Sequence, residues 1–277
     1  MSAMAEASYR RLFDLAGKTA VVTGACGILG RRFAAGLAEF GAGLALVDLD
    51  AGAAAALAAD VARRHAVEAI GIACDVADPE AVRRMAETVE ERLGGAQILM
   101  NNAATKGGDL DAFFAPVERF DLATWREVMA VNLDGMFLVA QALGSRMAER
   151  GAGSIIQTAS IYGLLAPDQR IYEGSEYNGR AINTPAVYTA SKAGVVGLTR
   201  HLATYWAGRG VRVNTLTPGG VSSGQNSEFS RRYAARIPLG RMAEADDMVG
   251  AALFLASDAS RYVTGQNIVV DGGLSAW

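Results

Sequence analysis

Short apolar segments alternate along the chain with longer segments rich in Ala, Leu, Glu and Arg. The short segments are predicted to be strands, and most of them are continuously apolar, as is typical of parallel strands buried on both faces. They are Thr19–Thr23, Leu44–Val47, Ala69–Ala73, Ile98–Met100, Ser154–Thr158, Val211–Leu216 and Asn267–Val270. This alternation predicts an α/β fold: a doubly wound, Rossmann-like parallel sheet of about seven strands with helices on both faces.

The longer segments are predicted to be helices. Their composition favours helix, and Asp78-Pro79 supplies an N-cap followed by a first-turn proline. They are Ile28–Phe40, Ala51–His65, Pro79–Leu93, Leu122–Arg150, Ala186–Arg209 and Ala245–Ser257. No linker rich in Pro, Gly or Ser divides the chain, so residues 1–277 are expected to form one domain.

Two connections between predicted elements are unusually long, residues 160–186 and residues 219–243. Loops longer than ~12–15 residues are usually functional. Both connections follow the carboxyl ends of predicted strands, and open α/β sheets bind ligands beyond those ends. Both are therefore predicted to be substrate-side loops.

Composition narrows the possible classes of protein. The chain is 51% hydrophobic, and its net charge of −3 gives no reason to expect nucleic acid or a membrane as partner. No continuous apolar run reaches the ~20 residues that span a bilayer, and Met1–Arg11 lacks the apolar core of a secretory signal. Cys26 and Cys74 are too few for a disulfide framework, so a cytoplasmic location is expected. His65 and His201 have no Cys or His at ligand spacing, so no metal site is expected.

A glycine-rich turn, Thr23-Gly-Ala-Cys-Gly-Ile-Leu-Gly30, joins the first predicted strand to the first predicted helix. Glycine lets a phosphate approach the backbone, and a helix N-terminus offers unpaired N–H groups, so the turn predicts a dinucleotide site. Asp48 ends the second strand, where a carboxylate binds ribose hydroxyls and repels a 2′-phosphate, which favours NAD over NADP. Asp75 is a candidate to bond the adenine. The alternatives are that Asp48 caps the next helix and that Asp75 is a turn residue.

Tyr188 and Lys192 are four residues apart in a predicted helix, so their side chains share one face. An ammonium group beside a phenol favours the phenolate, so the pKa of Tyr188 is expected below its usual value near ~10. A dinucleotide that takes a hydride and a tyrosine that takes a proton together predict an oxidoreductase.

Further motifs follow in order: Asp75-Val76, Asn101-Asn102-Ala103-Ala104, Asn132, Ser160, Pro218-Gly219 and Asp271-Gly272-Gly273. With them, nearly the whole chain resembles the short-chain dehydrogenase/reductase family, in its single-domain branch. The resemblance implies that Tyr188 is the general acid and base and that Lys192 lowers its pKa and holds the nicotinamide ribose. It also implies that Ser160 bonds the substrate oxygen, that Asn132 holds a water, and that the protein is a homotetramer.

Together, the motifs and the resemblance imply the following set of NAD-binding residues: Gly24, Gly27, Ile28, Leu29, Gly30, Asp48, Asp75, Val76, Asn102, Ala103, Tyr188, Lys192, Pro218, Gly219 and Val221. Three features depart from the family pattern. The turn reads Gly-x-x-Gly-x-x-Gly instead of Gly-x-x-x-Gly-x-Gly, with Ile28 at the usual middle glycine. Ala104 replaces a glycine, and the interval from Ser160 to Tyr188 is longer than in most members.

The predicted substrate rim is polar: Lys106, Arg170, Glu173, Tyr177, Asn178, Arg180, Gln225, Asn226 and Arg236. A steroid or long acyl chain would require a contiguous apolar lining, so a small polyhydroxylated substrate such as a sugar, sugar acid or polyol is expected. Lys106, Arg170 and Arg180 are candidates to bind an anionic group of that substrate. The alternative is that they are solvated loop charges.

Two other functions remain open at this level. A 3-oxoacyl-thioester reductase is common in the family, but Asp48 favours NAD over the NADP of biosynthetic enzymes. A non-catalytic NAD-binding regulator would have no chemical need for Ser160, Tyr188 and Lys192 together. Reduction of NAD in the presence of a substrate distinguishes the regulator from an enzyme.

Overall fold

The structure is a computed structural model that describes residues 8–177 and 179–277, so Asn178 and residues 1–7 lie outside the described residues. The strands are β1 (Thr19–Thr23), β2 (Gly43–Asp48), β3 (Ala69–Ala73), β4 (Ile98–Asn101), β5 (Gly153–Thr158), β6 (Glu176–Tyr177), β7 (Arg180–Ala181), β8 (Val211–Pro218) and β9 (Asn267–Val270). Seven of them form one parallel sheet in the order β3-β2-β1-β4-β5-β8-β9, and β6 and β7 form a short antiparallel pair. The predicted fold class is confirmed.

The helices lie on both faces of this sheet. They are α1 (Ile28–Glu39), α2 (Ala51–His65), α3 (Pro79–Leu93), α4 (Leu110–Phe113), α5 (Leu122–Met129), α6 (Met136–Arg150), α7 (Ala186–Trp206), α8 (Ser227–Ala234) and α9 (Val249–Ala256). Helices α2 and α3 have the predicted bounds, because Asp50 and Asp78 cap their first turns.

Helix α8 was not predicted, because its charged sequence lies inside a long connection. The signal was present: the Asn226 side chain caps the helix by accepting a hydrogen bond from the Phe229 amide at 3.0 Å. Phe229 and Tyr233, four residues apart, are its two buried residues. Two aromatic side chains on one face are enough to dock a helix of eight residues onto the protein.

Helices α5 and α6 are joined by a π-helical segment, Ala130–Gly135, into the predicted helix Leu122–Arg150. By length and composition alone this helix is apolar enough to cross a membrane. In the fold, however, Val139, Leu143 and Met147 are fully buried and pack in the core against the sheet. Burial of this face accounts for the apolar composition of the helix.

Two large apolar clusters cover the two faces of the sheet. Successive residues of one strand belong to different clusters: Val21 packs on the side of α3, α6 and α7, whereas Val22 packs on the side of α1, α2 and α9. Ile155 and Ile156 divide between the faces in the same way. This explains why the central strands are continuously apolar instead of alternating.

The direction of strand order reverses at β1, whose neighbours are β2 and β4. In a doubly wound sheet such a switch point leaves a crevice beyond the carboxyl ends of the strands. The two long connections meet at this edge, where Ile161, Tyr162 and Ile171 pack against Phe229, Tyr233 and other buried residues. The fold therefore forms one wall of the crevice from two segments that are distant in sequence.

Candidate active site

A cleft of about 1040 Å³ opens beyond the carboxyl ends of β1, β2, β3, β4, β5 and β8. It brings together most residues that were predicted from sequence: Gly24, Gly27, Ile28, Leu29, Asp48, Asp75, Val76, Asn102, Ala103, Lys106, Ser160, Tyr188, Lys192, Pro218, Gly219 and Val221. Four predicted residues, Gly30, Asn132, Arg170 and Arg180, are described by the structure but do not line the cleft.

The glycine turn forms one end of the cleft, and α1 begins directly after Gly27. Gly24 has a φ of +61°, and a Cβ there would lie 2.9 Å from the Ala103 Cα. A Cβ at Gly30 would lie 2.1 Å from the Gly24 carbonyl oxygen. Gly24 is therefore needed for contact with the β4 connection, and Gly30 for packing α1 under the turn. The first N–H groups of α1 face a cleft whose backbone walls suit a pyrophosphate.

Asp48 lies on the cleft at the end of β2. Its carboxylate accepts hydrogen bonds from the amides of Cys26, at 2.8 Å, and Leu49, at 2.9 Å. The cap of α2 is Asp50, which accepts from the Ala53 amide at 2.9 Å. The alternative that Asp48 caps α2 is therefore wrong, and its carboxylate ties β2 to the glycine turn beside the cleft.

A residue that the sequence did not single out, Thr23, joins the ends of β1 and β4. Its hydroxyl accepts hydrogen bonds from the amides of Asn102, at 2.9 Å, and Ala103, at 3.1 Å, and donates to Asn101 at 3.2 Å. The position of Thr23 at the end of a strand before the glycine turn was the available signal. These bonds hold Asn102 and Ala103 on the cleft wall.

Asp75 makes a turn, because its carboxylate accepts from the Ala77 amide at 2.9 Å. Asp75 is therefore the turn residue that the alternative expected. It also lines the cleft, and its contact with an adenine stays a prediction. At the other wall, the Gly219 amide donates to the Val270 carbonyl at 2.9 Å, and a Cβ at Gly219 would lie 2.8 Å from the Asp271 Cα. The Pro218-Gly219 and Asp271-Gly272-Gly273 motifs thus pack on each other.

Ser160, Tyr188 and Lys192 meet at the middle of the cleft. Ser160 follows β5, and Tyr188 lies in the first turn of α7, one turn before Lys192. Lys192 is only 2% exposed, and its ammonium donates a 2.9 Å hydrogen bond to the Thr158 carbonyl. Burial lowers the pKa of Lys192 to about 8. The long 160–186 connection loops out without separating these three side chains.

The expected lowering of the Tyr188 pKa is wrong for this structure. Burial raises the pKa of Tyr188, and the nearby Ser160 hydroxyl lowers that pKa by a smaller amount. The ammonium of Lys192, which was expected to favour the phenolate, donates to Thr158 instead. Burial disfavours a charged phenolate more strongly than these neighbours stabilise it.

Asn132 lies in the π-helical segment and is 0% exposed. Its carboxamide bonds both backbone groups of Thr105, accepting from the amide at 2.7 Å and donating to the carbonyl at 3.2 Å. Thr105 lines the cleft, whereas Asn132 supports it from behind. Asn132 is thus a polar residue within a long helix that bonds the backbone where the helix is irregular, and the expected water contact stays a prediction.

Lys106 is the one predicted anion-binding residue that lines the cleft. Its ammonium lies 4.1 Å from the centroid of the Tyr177 ring and 6.0 Å from that of Phe114. Lys106 is an exposed residue, yet partial burial of its charged end lowers the pKa of Lys106. Within the part of the chain that the structure describes, it makes no ion pair.

The two candidate arginines have other partners. Arg170 bonds both carboxylate oxygens of Asp168 at 2.8 Å, and its side chain is 85% exposed. Arg180 pairs with Asp111 at 2.8 Å on the surface. The structure places both off the cleft, as the solvated-charge alternative expected.

Four hydroxyl side chains without a predicted site role line the cleft beside Tyr188: Tyr162, Tyr172, Thr184 and Tyr233. The Tyr172 hydroxyl donates to Tyr162 at 3.2 Å and bonds Thr184. The aromatic residues of α8, four apart, were the signal for Tyr233. Among the described residues, no group of three or more His, Cys, Asp or Glu side chains is arranged to hold a metal ion.

A family model described as enoyl-(acyl carrier protein) reductase matches residues 24–275. A short-chain type dehydrogenase/reductase from Mycobacterium marinum has the same fold, with a TM-score of 0.85 and 33% identity over 98% of this chain and 100% of that chain. The chain belongs to the short-chain dehydrogenase/reductase family. The predicted family is confirmed, and with it the class of short-chain oxidoreductases.

Two further relatives carry more specific names. D-threitol dehydrogenase of Mycolicibacterium smegmatis is 41% identical over 94% of this chain and 94% of that protein. A gluconate 5-dehydrogenase from Burkholderia cenocepacia, solved in complex with NADP and tartrate, has a TM-score of 0.84 and 36% identity over 96% of this chain and 98% of that chain. The chain therefore matches sugar and polyol dehydrogenases over nearly their whole length.

Proposed function

We propose that this protein interconverts a secondary alcohol and a carbonyl on a small polyhydroxylated substrate, with NAD as the hydride acceptor. The observation that carries the proposal is the meeting of Ser160, Tyr188 and Lys192 in one cleft with a glycine turn at its other end. The names of D-threitol dehydrogenase and gluconate 5-dehydrogenase support a polyol or sugar as substrate.

The cleft residues fit a nicotinamide dinucleotide. The N-terminus of α1 would hold the phosphates, Asp48 would hold the adenosine ribose, and Lys192 would hold the nicotinamide ribose. When bound, this cofactor accepts a hydride from the carbinol carbon. At the same centre, Tyr188 in its phenolate form, which the raised pKa makes a minor species at neutral pH, takes the hydroxyl proton as the carbonyl forms; the phenol returns that proton in the reverse direction.

Ser160 and Tyr188 act on the same substrate oxygen. Negative charge develops on that oxygen in the transition state, and two fixed hydroxyl donors stabilise it. The hydroxyl oxygen of Ser160 is held in place by accepting a hydrogen bond from the Tyr162 backbone N–H at 3.3 Å. Lys192, anchored on Thr158, carries a positive charge in the same cleft below about pH 8.

NAD is proposed over NADP because of Asp48. The carboxylate lies at the cleft end where the adenosine ribose would sit, and a 2′-phosphate there would meet like charge. The gluconate 5-dehydrogenase relative was solved with NADP, so membership of the family does not by itself determine which of the two cofactors is used. It is proposed here on the Asp48 carboxylate alone.

We further propose that residues 1–277 act as one cytoplasmic domain in a homotetramer. Phe137 and Tyr205, on the outer faces of α6 and α7, are 42% and 62% exposed, and Trp277 is 80% exposed. Large exposed apolar side chains on neighbouring helices are typical of an interface between subunits. Light scattering coupled to size exclusion tests the assembly, and a monomeric mass would contradict it.

The activity is tested by reduction of NAD and NADP with threitol, galactitol, gluconate, butan-2-ol and, in reverse, acetoacetyl-CoA. Turnover of a polyol or sugar acid with NAD, lost in Tyr188→Phe with cofactor binding retained, supports the proposal. Turnover confined to the thioester supports the 3-oxoacyl-thioester reductase. Cofactor binding without turnover of any compound supports the regulator.

A further inference from the structure

Three tyrosines, Tyr162, Tyr172 and Tyr233, line one wall of the cleft. The hydroxyl of Tyr233 has no part in the proposed proton and hydride transfer. We infer that the hydroxyl of Tyr233 binds a substrate hydroxyl other than the one that is oxidised, and so selects polyols over simple secondary alcohols. This inference rests on the proposed function and assigns to Tyr233 the specificity of the enzyme for polyols.

Tyr233 is only 2% exposed, yet its hydroxyl has no hydrogen-bond partner among the described residues. A buried hydroxyl without a partner costs free energy, and such groups are rare in native proteins. The Tyr162 hydroxyl and the Gly220 amide lie close enough to act on the pKa of Tyr233, but burial still raises that pKa. Neither group reaches hydrogen-bond geometry, so the hydroxyl keeps its capacity to donate and to accept.

The neighbouring hydroxyl groups are occupied by one another. Tyr172 donates to Tyr162 at 3.2 Å and bonds Thr184 on its other side. Tyr233 belongs to the same wall but stands outside this chain of bonds. A ligand hydroxyl can supply the missing hydrogen-bond partner of Tyr233, because an alcohol both donates and accepts hydrogen bonds.

The ring of Tyr233 is fixed in position by packing against Gly220 and Phe229. A Cβ at Gly220 would lie 2.5 Å from the Tyr233 ring, so only glycine lets the ring rest on the turn after β8. The other side of the ring packs near Phe229, with ring centroids 5.5 Å apart. Tyr188 packs against the same cluster, and Tyr233 lines the cleft, so Tyr233 lies on the wall beside the reacting group.

The experiment compares two substrates and two variants. Threitol and butan-2-ol both carry a secondary alcohol on a four-carbon chain, but only threitol has further hydroxyls. Tyr233→Phe keeps the ring and removes only the hydroxyl. Tyr262→Phe is the matched control, because Tyr262 is fully exposed and does not line the cleft. If another polyol of the panel is turned over faster, it is compared with its own analogue that lacks the distal hydroxyls.

Wild-type enzyme is expected to prefer the polyol, and Tyr233→Phe to lower the ratio of the two kcat/KM values about tenfold, mainly through KM for the polyol. The melting temperature should not fall, because no internal hydrogen bond is lost. An unchanged ratio would overturn the inference and leave the proposed function standing. So would an equal loss on both substrates with a lower melting temperature. No turnover of any polyol by wild-type enzyme would overturn both.

Discussion

The ammonium of Lys192 donates a 2.9 Å hydrogen bond to the main-chain carbonyl of Thr158, the last residue of β5. This bond joins helix α7, which carries Tyr188, to the strand that leads to Ser160. It places a buried positive charge in the centre of the cleft, and it leaves the Tyr188 phenol to be tuned by burial and by Ser160.

The unfolding free energy is expected to depend on pH through Lys192. Its pKa is lowered from 10.5 to about 8 in the folded protein, so between these values the unfolded chain binds more protons. Stability contributed by this site therefore rises with pH across that window, by up to ~3 kcal/mol. Urea unfolding at pH 8, 9 and 10, with Lys192→Met as reference, measures the difference. Parallel pH profiles for the two proteins would contradict the lowered pKa.

Asp48→Asn is expected to weaken the preference for NAD. Asparagine keeps an acceptor for the Cys26 amide but removes the charge that faces a 2′-phosphate, so the NADP-to-NAD ratio of kcat/KM should rise by about 10- to 100-fold. Asp50→Asn is the control two residues away, since asparagine caps α2 as well as aspartate does. If both variants shift the ratio equally, the Asp48 carboxylate does not select the cofactor.

Gly30→Ala is expected to damage the turn that holds the cofactor. The new Cβ would lie 2.1 Å from the Gly24 carbonyl and 2.8 Å from the Ala25 Cα, both backbone atoms that cannot move without the turn. Dinucleotide affinity, measured by calorimetry, should fall at least tenfold, with a loss of stability of ~1–3 kcal/mol. Gly250→Ala, an exposed helical position with nothing within 4 Å, should be neutral or stabilising by up to ~1 kcal/mol. Equal behaviour of the two variants would refute the steric argument.

Lys106→Met is expected to separate anionic from neutral substrates. Lys106 has its charge on the cleft and no ion-pair partner among the described residues, so KM for a sugar acid such as gluconate should rise about 5- to 50-fold while KM for a neutral polyol changes little. Arg170→Met should change neither value, because Arg170 pairs with Asp168 on the surface. A larger effect from Arg170→Met would restore it as an anion anchor.

Much of the fold was predictable because the signals are local. Continuous apolar runs such as that of β1 identify strands covered on both faces, and caps such as Asp78 identify where helices begin. The helix α8 was missed because its short apolar face is recognisable only once Phe229 and Tyr233 have a surface to pack on.

The sequence by itself determined the residue types of the site: a glycine turn after β1, Asp48 at the end of β2, and Tyr188 one helical turn before Lys192. Tertiary structure alone decided their partners. In the folded protein, Lys192 donates a hydrogen bond to Thr158 and Asn132 accepts one from Thr105. The Tyr233 hydroxyl has no hydrogen-bond partner among the described residues. The physical reason is that spacing in sequence sets which face of an element a side chain occupies, whereas burial and hydrogen bonding depend on segments brought together only by folding.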